Sequence, residues 1–362
     1  MFVVGASMFY TGLAQKIGGV VVKMCGTGEN SLMFGLMMVG TVLSSCLSNT
    51  GTAACLLPVA LGICAAAKIP ASRQLMPLAF ACGWGGIITM VGTPPNIIAV
   101  GAMTSAGLEP FGFFEFAWIG IPVSIAGMLY MMFVGKYLLP KVDLSADQEI
   151  EQEIEAASTS STKQIISGVI LALVIITMAV GIPGVSLEIA AITGALVCVL
   201  TGCLTEKQAY ASIDWVTIFL FAGMMPVSNA MDKTGAGKLI AEWAVSLMGG
   251  SPTPIIMTSV LFIISCTLTQ FMSNTAAAAL LAPVGVAISQ QLGASPKAVL
   301  MAIGVAASCA FATPVGTPPC TLVLGPGGYK FMDYVKVGVP LVILCFIVSI
   351  IVIPMVWPFF PG

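Results

Sequence analysis

The sequence contains no histidine, and only 13 Lys and Arg and 15 Asp and Glu among its 362 residues. None of its 11 cysteines forms a Cys-x-x-Cys pair. Each shortage removes a class of function. Without histidine, zinc sites and histidine proton relays have little to build on. A net charge of −2 with no basic field offers nothing to nucleic acid. Cysteines scattered through apolar stretches read as small helix-packing residues, not as a disulfide or metal framework. No apolar stretch followed by a small-residue cleavage site argues for a removable signal peptide. What is abundant is hydrocarbon: 58% of residues are hydrophobic, 8% are charged, and the mean hydropathy is +1.05. That composition predicts an all-α polytopic membrane protein.

Eight of the charged residues crowd into Lys141–Lys163, an acidic connector with a Ser/Thr-rich end. Apolar stretches of spanning length lie at 1–22, 74–103, 116–139, 164–182, 187–203, 213–231, 298–325 and 334–358. Two further apolar segments, 31–67 and 254–292, are each broken near the middle by Ser-Asn-Thr, at Ser48–Thr50 and Ser273–Thr275. Each half is short for a crossing, so both segments are expected to be re-entrant helical hairpins.

The chain repeats itself around these triplets. Residues 48–59 and 273–284 share eight identities in twelve, and each copy is followed by Gly-Thr-Pro-Pro, at 92–95 and 316–319. A third anchor, Phe113-x-x-Phe116-x-x-x-Gly120-Ile121-Pro122, echoes Phe331-x-x-Tyr334-x-x-x-Gly338-Val339-Pro340. Five full crossings separate the triplets, and an odd number turns the second copy upside down. Inverted repeats with discontinuous helices are the layout of secondary transporters. The repeats are read as 1–140 and 164–362, joined by the 141–163 linker. Placing that linker in the cytoplasm puts ten of the 13 Lys and Arg inside, leaving Lys233, Lys238 and Lys297 outside. The first hairpin then opens inward and the second outward.

Ser, Asn and Thr are helix N-caps, so one half-helix should end and another begin at each triplet. The ending helix exposes carbonyl oxygens, suited with Ser and Asn oxygens to a hard cation; the starting helix exposes N–H groups, suited to an anion. In Gly-Thr-Pro-Pro the prolines remove donors and free nearby carbonyls such as that of Gly92, while Thr93 and Thr317 add hydroxyls. No Lys or Arg lies in either hairpin core or either break. An anion there needs bound cations for compensation, which predicts coupling to sodium. Glu188 and Asp214 fall near helix ends and read as interfacial. Glu115 and Asp333 match across the repeat and are expected to flank helix starts.

These paired motifs resemble the divalent anion/sodium symporter family, the sodium-coupled transporters of di- and tricarboxylates and of sulfate, and the resemblance covers essentially the whole chain. It implies two sodium sites, one from Ser44, Ser48, Asn49 and Gly92, the other from Thr269, Met272, Asn274 and Gly316. Substrate would lie against Ser48, Asn49, Thr50, Ser273, Asn274 and Thr275, with Thr93, Pro94, Thr317 and Pro318 shaping the pocket. It also implies a homodimer in a plasma or inner membrane, working by an elevator motion, with sodium co-transported and no organic cofactor. The family pattern places further scaffold helices ahead of the first one here. Two departures stand out: Asn96 is matched by Cys320, and Thr52 by Ala277. An anion exchanger, or a permease for sulfate, arsenite or phosphate, remains the alternative on this fold. A membrane enzyme lacks the clustered nucleophiles or acids it would need.

Overall fold

A computed structural model describes residues 1–25, 28–142, 161–180, 187–236 and 252–360, with isolated positions between 239 and 246. The described residues form helices and no strands. The acidic linker falls almost wholly outside them. Among the described residues, five helices are long and apolar enough to cross a membrane: Asn49–Ala67, Ala117–Leu138, Ser161–Val180, Asn274–Leu292 and Phe331–Val356; the first and fourth, the second arms of the hairpins, reach that length where halves short of a crossing were expected.

The stretch expected as one helix over 1–22 is two, α1 (Phe2–Tyr10) and α2 (Leu13–Cys25). Gly12 breaks it by taking φ 75°, a left-handed conformation that only glycine adopts cheaply. The first hairpin follows as α3 (Glu29–Cys46) and α4 (Asn49–Ala67). Then come α5 (Leu75–Gly85), a 3-10 turn at Gly86–Ile88, α6 (Pro94–Ser105) and the long α7 (Ala117–Leu138). Beyond the linker lie α8 (Ser161–Val180), α9 (Leu187–Leu200), the short α10 (Glu206–Ala211) and α11 (Trp215–Thr234). The second hairpin is α12 (Pro254–Thr269) and α13 (Asn274–Leu292). After it come α14 (Pro296–Ser308), α15 (Pro318–Leu324) and α16 (Phe331–Val356).

Both hairpins turn for the same local reason. Ser48 and Ser273 adopt extended φ/ψ, and each hydroxyl accepts the backbone N–H three residues on, Gly51 at 3.1 Å and Ala276 at 3.2 Å. Such a cap contributes about 1 kcal/mol and ends one helix as it starts the next. The second arms end in left-handed caps at Lys68 and Gly293.

The Gly-Thr-Pro-Pro elements do more than interrupt. Pro94 and Pro318 occupy the first helical position, with Thr93 and Thr317 as N-caps at φ −142° in both repeats. Proline fits there because the first N–H of a helix has no partner to lose. The third anchor packs against these breaks. A side chain at Gly120 would strike the Ile88 backbone, and one at Gly338 the Phe311 carbonyl.

The repeats interlock. Segment α6 packs on α13, the second arm of the opposite hairpin, and α15 packs on α4. Between the breaks sits a shared aromatic core, with Phe311 edge-on to Phe80 at 5.3 Å and to Trp84 at 6.2 Å. Tyr130 adds a hydrogen bond from α7 to the Val337 carbonyl at 2.8 Å.

Candidate functional site

At the tip of each hairpin an asparagine amide is surrounded by oxygen. In the first, the inward-pointing amide atom of Asn49 lies 2.7 Å from Ser44 Oγ and 3.1 Å from the carbonyl oxygens of both Gly92 and Cys82. The equivalent atom of Asn274 lies 2.8 Å from Thr269 Oγ1, 3.1 Å from the Gly316 carbonyl and 3.2 Å from that of Ala307. Ser44 also donates to the Cys82 carbonyl and Thr269 to the Ala307 carbonyl, each at 2.7 Å and each across 38 residues. Two independent stretches of chain thus build one cage twice.

Each amide has two chemically distinct orientations. With nitrogen inward, it donates to the surrounding oxygens and the cage satisfies itself. With oxygen inward, the amide oxygen faces two carbonyl oxygens and a hydroxyl whose single proton can serve only one of them, an arrangement that a cation between them relieves. That orientation turns the –NH2 group outward. The cages admit no added bulk: a side chain at Gly86 would overlap Asn49, and one at Gly92 would come within 2.5 Å of the Gly86 carbonyl. At Gly316 the obstacle is the Thr269 carbonyl, at 2.7 Å.

The structure therefore brings together Ser44, Asn49 and Gly92, and likewise Thr269, Asn274 and Gly316. Ser48 and Ser273 stand at the cage edge as caps. Met272, whose backbone was the expected contributor, lies just ahead of the second triplet, and its N–H closes the end of α12 on the Leu268 carbonyl at 3.1 Å. Pro94 and Pro318 begin the helices that leave each cage, so two helix N-termini meet at each, α4 with α6 and α13 with α15.

The remaining triplet residues differ in exposure. Thr50 is exposed, whereas Thr275 is buried and its hydroxyl lies 3.5 Å from that of Thr217. Thr93 is buried and its hydroxyl has no partner among the described residues, and the same holds for Thr52 one turn into α4. Ser48 and Gly51 line a cavity of about 1240 Å³ that is bounded by α1, α2 and α4 and by Ser161, Gln164, Ala211 and Ser212. Lys16, 3.4 Å from Gln164 Oε1, supplies its charged lining. The cavity reaches the first triplet from the side where the linker joins α8.

Several contributors carry no obvious mark in the sequence. The carbonyls of Cys82 and Ala307 come from residues whose side chains say nothing; only their equal spacing from Ser44 and Thr269 could have found them. Asn96 ties down the first break, donating to the Thr89 carbonyl at 2.8 Å and to the Gly86 carbonyl at 3.3 Å. Cys320 cannot do this, and Gln270 does it from the hairpin side, donating to the Cys309 carbonyl and accepting from the Ala312 N–H, both at 3.0 Å. Glu115 lies just ahead of α7 and Asp333 in the first turn of α16, accepting the N–H groups of Gly112 and Lys330 at 2.8 Å. Glu115 also takes an ion pair from Lys297 at 3.4 Å and the Trp357 indole N–H at 2.8 Å.

Paired re-entrant hairpins, broken helices and twin oxygen cages define a multi-pass membrane transporter. The chain belongs to the citrate transporter family, whose model matches residues 1–293 and 178–360. It is 33% identical to an uncharacterized transporter of Haemophilus influenzae, over 86% of this chain and 70% of that one. It is 25% identical to the sodium-dependent dicarboxylate transporter SdcS of Staphylococcus aureus, over 100% of this chain and 76% of that one. Among solved structures, the YdaH transporter of Alcanivorax borkumensis has the same fold (TM-score 0.65, 17% identity, 98% of this chain and 84% of that one). So does MtrF of Neisseria gonorrhoeae (TM-score 0.63, 15% identity, 99% and 82%).

Proposed function

We propose that this chain is a sodium-coupled symporter of di- or tricarboxylates of the succinate, malate, fumarate and citrate class. The observation that carries the reading is the pair of asparagine amides whose inward atoms face a hydroxyl and two main-chain carbonyls. A sodium ion in each cage holds the amide oxygen inward. The –NH2 group of Asn49 or Asn274 then points outward as a donor, joined by the hydroxyls of Thr50, Thr275, Thr93 and Thr317, to receive a substrate carboxylate. Without sodium the amide turns its nitrogen inward and presents oxygen to the incoming anion, which repels it. Cation and anion are thereby read by one side chain, and neither is held well alone.

The absence of Lys and Arg at the hairpin tips makes this coupling necessary. Helix N-termini offer about half a charge each, too little for a dianion at membrane depth. Sodium supplies the rest. Every net positive charge carried in gains about 2.3 kcal/mol per 100 mV of membrane potential. The protein sits in a plasma or inner membrane with the 141–163 linker in the cytoplasm, as the distribution of Lys and Arg favours. Residues 1–140 and 164–362 act as inverted repeats. The hairpins and broken helices form the moving unit of an elevator, carried by a homodimer.

Reconstituted uptake of succinate, citrate and sulfate, each with sodium or with potassium in its place, tests this. Carboxylate uptake is expected to fall at least tenfold without sodium. Uptake unchanged in potassium, or confined to sulfate, would overturn the reading.

A further inference from the structure

Asp214 stands at the start of α11, half-buried, and its carboxylate serves two tasks. Oδ1 accepts the Thr217 backbone N–H at 3.0 Å, an N-cap contact that satisfies one orphan donor of the helix. Oδ2 accepts the Thr217 hydroxyl at 2.5 Å. The cap needs only the first of these. Because the Thr217 proton is committed to Asp214, a hydrogen bond between the Thr217 and Thr275 hydroxyls, which lie 3.5 Å apart at the long limit for one, takes Thr275 as its donor. A directed relay thus runs from a residue of the second triplet, through Thr217, to a carboxylate on a separate helix. Thr217 and Thr275 are 4% and 7% exposed, so bulk water competes little for these protons. Ala211 and Ser212, just ahead of Asp214, line the cavity that reaches the first triplet.

Resting on the functional reading above, we propose that Asp214, acting through Thr217, is a built-in rival of the substrate carboxylate on the side where the cavity opens. It takes the Thr275 hydroxyl when substrate is absent, and an arriving carboxylate must displace it. Asp214 is a positioning residue; it weakens binding on this side and speeds release, so that the carrier unloads. Sliding of the hairpin past α11 breaks the contact and frees Thr275 for the opposite side.

Asp214→Asn keeps an oxygen for the cap but removes the charge, and Thr217→Val removes only the relay. In vesicles loaded from the cavity side, both are expected to tighten apparent substrate affinity at least threefold. Net transport should slow by a similar factor while labelled-for-unlabelled exchange stays near wild type, and Thr217→Ser should restore all three. Unchanged affinity in both variants would overturn the proposal. So would a parallel loss of net transport and exchange that Thr217→Ser shares, which marks a structural role. A cargo-independent arm uses a Thr217→Cys, Thr275→Cys double variant treated with mercuric ion, the bridge located by mass spectrometry against each single variant. A bridge in the empty protein supports the relay, and its absence refutes it whatever the cargo. If the wild type carries no carboxylate with sodium, the functional reading falls and the bridge still decides the relay.

Discussion

The two hairpin tips reach one geometry with different residues and present it differently. Ser44 in the first cage is Thr269 in the second, and the Cys82 carbonyl is that of Ala307. The break is fastened from within by Asn96 in one repeat and from the hairpin by Gln270 in the other. What the repeats hold in common is the position of oxygen atoms; side-chain identity varies wherever another group delivers the same atom. What they do not hold in common is access. Thr50 is exposed beside the cavity, while Thr275 is covered, its hydroxyl 3.5 Å from that of Thr217. A protein symmetric in its chemistry is here asymmetric in its state, as alternating access between inverted repeats requires.

The comparison breaks most readily at the amides. Asn49→Ala and Asn274→Ala should each lower sodium-driven uptake more than tenfold with expression intact, because in the proposed mechanism one side chain serves both ions. Asn49→Asp sharpens the point: its carboxylate keeps an oxygen inward but has no –NH2 to turn outward. It should retain sodium binding, read as sodium-dependent thermal stabilisation, and lose anion binding. Near-normal uptake in both alanine variants would show that the cages are structural.

The fastening of the breaks comes next. Asn96→Cys gives the first repeat the residue of the second without a glutamine at the position of Ser45. Leaving buried carbonyls unpaired costs about 1–3 kcal/mol, so the melting temperature should fall. Adding Ser45→Gln should recover part of the loss. No recovery would mean that the two fastenings are not interchangeable. The smallest effect is expected from Ser44→Thr and Thr269→Ser, which exchange hydroxyl donors between repeats. Uptake should stay within about threefold of wild type, and a larger loss would mean that the extra methyl is part of the cage.

Much of this architecture was legible because residues that break helices declare themselves. Ser-Asn-Thr announced each hairpin tip, the repeat spacing paired each tip with its break, and the matched acids at 115 and 333 fell at helix starts. The prolines were legible as interruptions but not as beginnings, since the same missing N–H that ends one helix suits the first position of another. Main-chain ligands leave no trace in residue type, so the carbonyls of Cys82 and Ala307 were hidden. The break at Thr11–Gly12 was hidden too, because a single glycine inside an apolar stretch is tolerated as often as it interrupts. Asp214 was visible only as a helix end; the approach of its partner Thr217 to Thr275 depends on how α11 lies against the hairpin, which no local pattern encodes.

The crossing of α6 onto α13 and of α15 onto α4 has a consequence for inheritance as well as for motion. Each half of the chain covers a flank that its twin would otherwise leave bare. A single copy on its own would need a second molecule to cover that flank, and joining two copies in one chain makes the meeting covalent.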